Sequence, residues 1–338
     1  MFLKLSYLIL YMKRYTLKDI ALVAEYNFTL GGAQRMLAII SKKMKKPIYL
    51  PFSNGKPLPV WDVKPKIGIP KEPIWFSGVV DRYRFRKFPE KKHIKFCHSG
   101  TSLENFEENK NDKDIIWLTH RKRAREYWRK KGFNIELVPK GYIPYDKTEL
   151  NINPNKANSA IFISRIWEGK MPDIAAKICE KAKIPLKIAG SWEFKDYANK
   201  ICKIYQSETI KFVKPDNGMG ISEGLKEKLL WDSKILIHLS KGGLHDYLEY
   251  SILDGLTYGC IPLCITKDPK QFSIIEKKKI GRVVSNEIEA IKAIRDLLEN
   301  YNFYLENSKR FMKNFFESQD TLWRRWEKTF SKILKKYS

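Results

Sequence analysis

The sequence has few cysteines and few acidic residues. The first shortage disfavours cysteine-based structural sites, and the second indicates the charge of possible partners. Its five cysteines are odd in number and include no Cys-x-x-Cys pair. A disulfide framework and a cysteine-based zinc site are both disfavoured, and a reduced intracellular setting is expected. The 38 acidic residues are outnumbered by 64 basic ones, which gives a formal net charge of +26. A field of this sign favours anionic partners, namely phosphorylated substrates, nucleic acid or an anionic membrane surface.

The N-terminus offers no segment that would span a membrane. Residues 2–11 are apolar apart from Lys4 and Ser6, but a bilayer needs roughly 20 apolar residues. No small-residue cleavage site follows, as a signal peptide would require. We therefore expect a cytoplasmic protein, and contact with the cytoplasmic face of a membrane is an alternative that the basic charge keeps open.

From residue 160 onward, short apolar segments alternate with amphipathic segments of helical length. This alternation is typical of βαβ units and predicts a parallel, doubly wound sheet. Strands are predicted at 160–166, 186–189, 209–213, 235–239, 261–265 and 281–284, and helices at 172–182, 193–205, 222–231, 247–258 and 286–299.

The first half of the chain has a similar but less regular pattern. Residues 47–90, rich in proline, glycine and aromatics, show no clear pattern, and 145–158 is expected to be a linker. We expect two domains, residues 1–150 and 151–310, followed by a long aromatic and basic helix within 311–338. Further strands are predicted at 19–25, 94–97, 115–119 and 135–138. One helix is predicted to open within 29–35 and to run to about 43, and another to cover 121–131.

Four motifs stand in order along the chain. Residues 31–35 read Gly-Gly-Ala-Gln-Arg, and 137–143 read Leu-Val-Pro-Lys-Gly-Tyr-Ile. Residues 163–173 read Ile-Ser-Arg-Ile-Trp-Glu-Gly-Lys-Met-Pro-Asp, and Asp246 and Asp254 are separated by seven residues. Together they resemble the GT-B fold glycosyltransferases, most closely the retaining family 4 (group 1), which has Glu-x7-Glu at the last motif. The resemblance implies an α/β protein with two Rossmann-like doubly wound domains facing across a cleft, and a final helix that packs back onto the first domain.

The resemblance also assigns roles. Arg165 and Lys170 would bind the donor diphosphate and stabilise the charge that develops on it. Asp254 would accept hydrogen bonds from the donor ribose, while Asp246 and His98 would lie beside the transferred sugar. These roles make Asp246, Arg165, Lys170 and His98 the candidate catalytic residues. The donor site would also include Val213, Lys214, Tyr250, Ser251, Gly31 and Gly32.

Each assignment has a structural alternative. Arg165 and Lys170 would then be ordinary surface cations, and His98 a structural histidine. Asp246 would be the N-cap of the helix that follows it, a position that aspartate favours without any ligand. The two glycines would form a plain strand-to-helix turn.

The implied reaction is the metal-independent transfer of a hexose, with retention, from a UDP- or GDP-linked sugar to a lipid, glycan or protein acceptor. No other cofactor is expected, and Asp112-Lys-Asp114 lies in a charged run that favours a solvated loop over a metal site. The alternative is a nucleic-acid- or anionic-surface-binding protein on an inactive GT-B scaffold. It depends on the basic segments 82–88 and 121–131, although no recognised nucleic-acid module is present.

Overall fold

The structure is a computed structural model, and the chain divides in it into two compact units. One comprises Met1–Asp146 with Gln319–Ser338, and the other comprises Lys147–Ser318. No helix among the described residues is long and apolar enough to cross a membrane. The structure describes residues 15–24, 32–51, 63, 65–77, 91–96, 103, 110–119, 122–138, 145–216, 220–241 and 248–337.

The first unit contains a seven-stranded parallel sheet in the order β3-β2-β1-β4-β5-β6-β7. Its central strands are buried on both faces, as parallel sheets require. Three of the strands lie within 47–90, where the sequence shows no pattern, because two to four residues are too few to display a period. The strands are β1 (Ile20–Val23), β2 (Ile48–Leu50), β3 (Lys66–Ile67), β4 (Ile74–Ser77), β5 (Lys92–Phe96), β6 (Ile115–Thr119) and β7 (Ile135–Leu137), and the helices are α1 (Gly32–Met44) and α2 (Lys122–Lys130).

The second unit contains a six-stranded parallel sheet in the order β10-β9-β8-β11-β12-β13. This is the strand order of a Rossmann fold, and its direction reverses between β8 and β11. The strands are β8 (Ala157–Ile163), β9 (Leu186–Ala189), β10 (Ile210–Phe212), β11 (Ser233–Ser240), β12 (Ile261–Thr266) and β13 (Arg282–Val284). The helices are α3 (Pro172–Ala182), α4 (Lys195–Tyr205), α5 (Glu223–Asp232), α6 (Tyr250–Thr257), α7 (Ser273–Lys278) and α8 (Glu287–Glu299).

The last helix, α9 (Tyr301–Tyr337), begins ten residues before the predicted start at 311. Its C-terminal part packs on the first sheet through aromatic side chains. The Trp326 ring stacks on Phe96 at 5.8 Å between centroids, and Phe330 meets Phe76 edge-on at 5.4 Å. The Tyr337 hydroxyl donates to the carbonyl oxygen of His93 at 2.7 Å.

Candidate functional site

The candidate site of the second unit lies where the strand order reverses. In open parallel sheets, ligands bind at the carboxyl ends of the strands beside such a reversal. Arg165 follows β8 by two residues, and Lys170 ends a short 3-10 turn, Glu168–Lys170, just before α3. Across the reversal, β11 ends at Ser240 and α6 begins at Tyr250.

Lys170 lies beside the N-terminus of α6. Its ammonium is 3.8 Å from a carboxylate oxygen of Glu249, and both side chains are partly exposed. Glu249 is the N-cap residue of α6, but its side chain makes no capping hydrogen bond. The positive end of the helix dipole lies at this terminus. A cation and a helix N-terminus therefore occur together, and both attract anions.

A buried histidine lies directly behind this pair. The His238 Nε2 is 3.8 Å from the Glu249 carboxylate, and its Nδ1 is 3.4 Å from the Ser251 hydroxyl. Burial lowers the pKa of His238 to about 4; the Glu249 carboxylate opposes this shift and the Lys170 ammonium adds to it. His238 is therefore neutral at pH 7. Sequence reasoning missed His238, and the available signal was a polar residue inside the apolar run of β11.

Arg165 lies at the same edge of the sheet but has its own contacts. Its guanidinium is 3.9 Å from the Glu193 carboxylate and lies over the Trp167 ring at 5.6 Å. Trp167 in turn stacks on Phe194, with 5.5 Å between ring centroids. About half of the Arg165 side chain is exposed. The structure therefore shows an accessible cation on an aromatic support, at the edge that also carries Lys170.

Asp254 is buried in α6, one turn beyond its start. Its carboxylate accepts a hydrogen bond from the Lys226 ammonium at 3.0 Å, and Lys226 also pairs with Glu223 at 2.7 Å. A buried cation therefore lies against Asp254. Its role toward a ribose remains a prediction.

The remaining predicted site residues are partly described. Val213 and Lys214 follow β10, and the Val213 N–H donates to the carbonyl oxygen of Ile188 at 2.8 Å. The alternative that Asp246 caps the following helix is wrong, because α6 begins at Tyr250 and its N-cap is Glu249. Tyr250 and Ser251 open α6, and Gly32 opens α1. Gly31, His98, Asp246 and the basic segment 82–88 lie outside the described residues.

The described residues contain no group of three or more histidine, cysteine, aspartate or glutamate side chains placed to hold a metal ion. Asp112 instead accepts a hydrogen bond from the Asp114 N–H at 2.8 Å, and the Asp114 carboxylate pairs with Lys92 at 3.0 Å. These contacts are those of a local turn and an ion pair at the surface.

Comparison with known proteins yields structural neighbours only. No protein-family model matches the sequence, and no curated protein sequence matches it. A glycosyltransferase from Rickettsia africae ESF-5 matches with a TM-score of 0.65 at 13% identity, over 96% of this chain and 99% of that one. An alpha-glucosyltransferase in complex with UDP and a 13-mer DNA containing a HMU base matches with a TM-score of 0.62 at 13% identity, over 94% and 99%.

A mutant of S. aureus TarM in complex with Fondaparinux, alpha-GlcNAc-glycerol and UDP matches with a TM-score of 0.56 at 17% identity. That match covers 75% of this chain, which spans only 54% of the length of TarM. Sequence identities this low establish the fold but not the substrate, the mechanism or the family. The neighbours are GT-B glycosyltransferases, so the predicted fold class of two Rossmann-like parallel-sheet domains is confirmed.

Proposed function

We propose that the protein is a retaining, metal-independent glycosyltransferase of the family 4 type, which transfers a hexose from a UDP- or GDP-linked sugar. The observation that carries this proposal is the position of Lys170 beside the N-terminus of α6, at the strand-order reversal of a Rossmann sheet. Two of the structural neighbours described above were solved with UDP, which supports a uridine nucleotide. The acceptor would bind residues 1–150, and the donor residues 151–310.

In the proposed reaction, the bond between the sugar C1 and the diphosphate oxygen breaks and the diphosphate leaves with the electron pair. Lys170 and the first N–H groups of α6 stabilise the charge that develops on the leaving phosphate. Arg165 supplies a second, bidentate cation at the same edge. The acceptor hydroxyl attacks C1 from the face that the phosphate leaves, and its proton passes to that phosphate, so the configuration is retained. Asp246 and His98 orient sugar hydroxyls in this scheme.

Glu249 competes with the donor for Lys170. Its carboxylate is 3.8 Å from the ammonium and carries the same sign of charge as a diphosphate. A bound diphosphate must therefore displace the Glu249 side chain or share Lys170 with it. Glu249 thus weakens the hold on the diphosphate and, once displaced, is placed to contact the donor sugar.

A ligand-induced thermal shift tests the proposal. UDP, GDP and ADP are added to the protein with and without magnesium, and one of them should raise Tm in the absence of magnesium. At a concentration about 100 times its Kd, a ligand stabilises the folded state by about 2.7 kcal/mol. Lys170→Ala should abolish the shift, whereas the exposed control Lys200→Ala should retain it. A response to no diphosphate, or one that requires magnesium, would contradict the proposal.

A further inference from the structure

The C-terminal part of α9 carries an unusual concentration of positive charge. Residues 319–337 include six basic and only two acidic side chains. The inner face of this segment packs on the first sheet, and the outer face lines a shallow hollow of about 470 Å³. We call the four cations of this hollow the α9 basic strip: Arg324, Lys328, Lys332 and Lys335.

Among the described residues, none of the four cations of the α9 basic strip forms a salt bridge. Lys332 nevertheless contributes, after Lys336 and Arg129, to the lowered pKa of the Glu136 carboxyl. The acidic member of the hollow, Glu327, accepts a hydrogen bond from the Trp323 indole N–H at 3.0 Å. Like charges four residues apart on a helix repel each other. An anionic partner would relieve this repulsion along the whole strip.

The helix dipole explains only one end of the strip. Cations are stabilised near a helix C-terminus, but this effect falls off within the last turn. Lys335 lies in the last turn of α9, whereas Arg324 and Lys328 lie more than two turns before the end at Tyr337. These two residues therefore need a different explanation.

The spacing of the strip suits a regular polyanion. The first three members are each four residues apart, about 6 Å along the helix axis, and Lys335 follows Lys332 by three residues, about 4.5 Å. The strip spans about 16 Å from Arg324 to Lys335. One strand of a nucleic acid duplex carries a phosphate about every 3.4 Å along its axis. The strip therefore covers the axial rise of about five base pairs, and because the strand winds around the axis it can lie beside about two or three successive phosphates of that strand.

The side chains around the strip favour a nucleic acid over a membrane. A membrane-binding helix presents large apolar side chains beside its cations, but residues 319–337 of α9 include no exposed large apolar side chain. The nearby α2 is also basic, and its Arg129 contacts Glu136 of edge strand β7, as does Lys336 of α9. Tyr127 of α2 is exposed, and the Lys131 ammonium lies 4.9 Å from its ring centroid. An exposed ring flanked by cations is a surface on which a base can stack.

We propose that the α9 basic strip binds the phosphodiester backbone of a nucleic acid. This inference is independent of the donor site, because it concerns other residues and its test needs no nucleotide sugar. The neutralised phosphates should make the affinity depend steeply on salt, with a logarithmic slope of about −0.9 per contact for a duplex and about −0.7 for a single strand.

The test measures fluorescence anisotropy of a labelled 20-base-pair DNA, and of its single strand, at about 50 to 300 mM NaCl, the range over which such contacts weaken. The strip variant replaces Arg324, Lys328, Lys332 and Lys335 by glutamine, which is a good helix former. The control variant replaces four exposed lysines of the second unit by glutamine and loses the same charge: Lys200, Lys203, Lys277 and Lys278. A parallel titration uses vesicles of phosphatidylcholine with phosphatidylserine.

The strip variant should bind the duplex at least about tenfold more weakly at low salt, with a slope shallower by about 2 to 3. The control variant should keep most of the affinity and the slope. Equal losses in the two variants would overturn the proposal, because net charge alone would then explain binding. Binding to the vesicles but to neither DNA would overturn it in favour of a membrane partner. Unchanged circular dichroism and an unchanged thermal unfolding transition would show that the strip variant is folded, whether or not the donor-site proposal holds.

Discussion

Asp254 has two possible roles, and they predict different effects of its substitution. If Asp254 neutralises Lys226, its loss should lower the stability of the protein, whereas if it binds the donor ribose, its loss should weaken UDP binding. In the structure its carboxylate pairs with Lys226 at 3.0 Å, and the side chains are only 4% and 11% exposed. Removing one partner of a buried ion pair costs about 3–5 kcal/mol when the other charge is left uncompensated. Lys226 would keep its contact with Glu223 at 2.7 Å, so we expect the lower end of this range, about 3 kcal/mol. For a unit of this size, each kcal/mol lowers Tm by about 2–4 °C, so Asp254→Asn should lower Tm by about 6–12 °C in the absence of any ligand.

The double variant Asp254→Asn with Lys226→Met isolates the charge. Because this pair of substitutions removes both charges, most of the lost stability should return, and the two substitutions should be strongly non-additive. Asp232→Asn is the matched control, because it breaks a partly exposed pair with Lys187 at 3.2 Å and should cost only about 1 kcal/mol or less. The assay is thermal unfolding followed by circular dichroism. A Tm for Asp254→Asn close to that of the wild type, accompanied by weaker UDP binding, would refute the structural role and favour the ribose role.

Three further predictions concern the same unit. Glu249→Gln should tighten UDP binding by about tenfold, since the amide no longer repels the diphosphate near Lys170, and calorimetric titration measures the change. Folded His238 has a pKa of about 4 against 6.5 for the free side chain, so protonation favours unfolding below pH 6.5. Stability should fall by about 1.4 kcal/mol per pH unit from 6.5 to 4, and His238→Gln should lack this component in urea unfolding at successive pH values. Lys156 donates to the carbonyl oxygens of Trp231 and Ser233 at 2.9 and 2.7 Å, so Lys156→Met should cost about 2–3 kcal/mol, and an unchanged Tm would contradict this.

The helices of the second unit are predictable where the residues at their ends mark a start and a stop. The helix predicted at 172–182 is found at Pro172–Ala182, since proline favours the first position and Lys183 ends the helix in a left-handed conformation. The helix predicted at 247–258 begins three residues later, at Tyr250. Residues 247–249 fit the helical period, and glutamate at the N-cap gives no signal that marks the true start.

The site is less predictable, because its contacts join residues that are distant in sequence. The motifs identified Lys170 as a cation near a phosphate, but its partner Glu249 lies 79 positions away, across the sheet. Likewise, nothing local indicates that Arg35 is buried and donates to Asp146 at 2.6 Å, or that Lys226 neutralises Asp254. Such pairs form only after the strands are ordered, so a single sequence cannot reveal them.

The central claim is that the start of α6 and Lys170 form a diphosphate site, and a crystal structure of the protein with UDP tests it most directly. The account predicts the β-phosphate within about 3.2 Å, a hydrogen-bond distance, of the Lys170 ammonium and of a first-turn N–H of α6. It also predicts that the Glu249 side chain has turned away from Lys170. UDP bound elsewhere, or with Lys170 still paired to Glu249, would contradict the account.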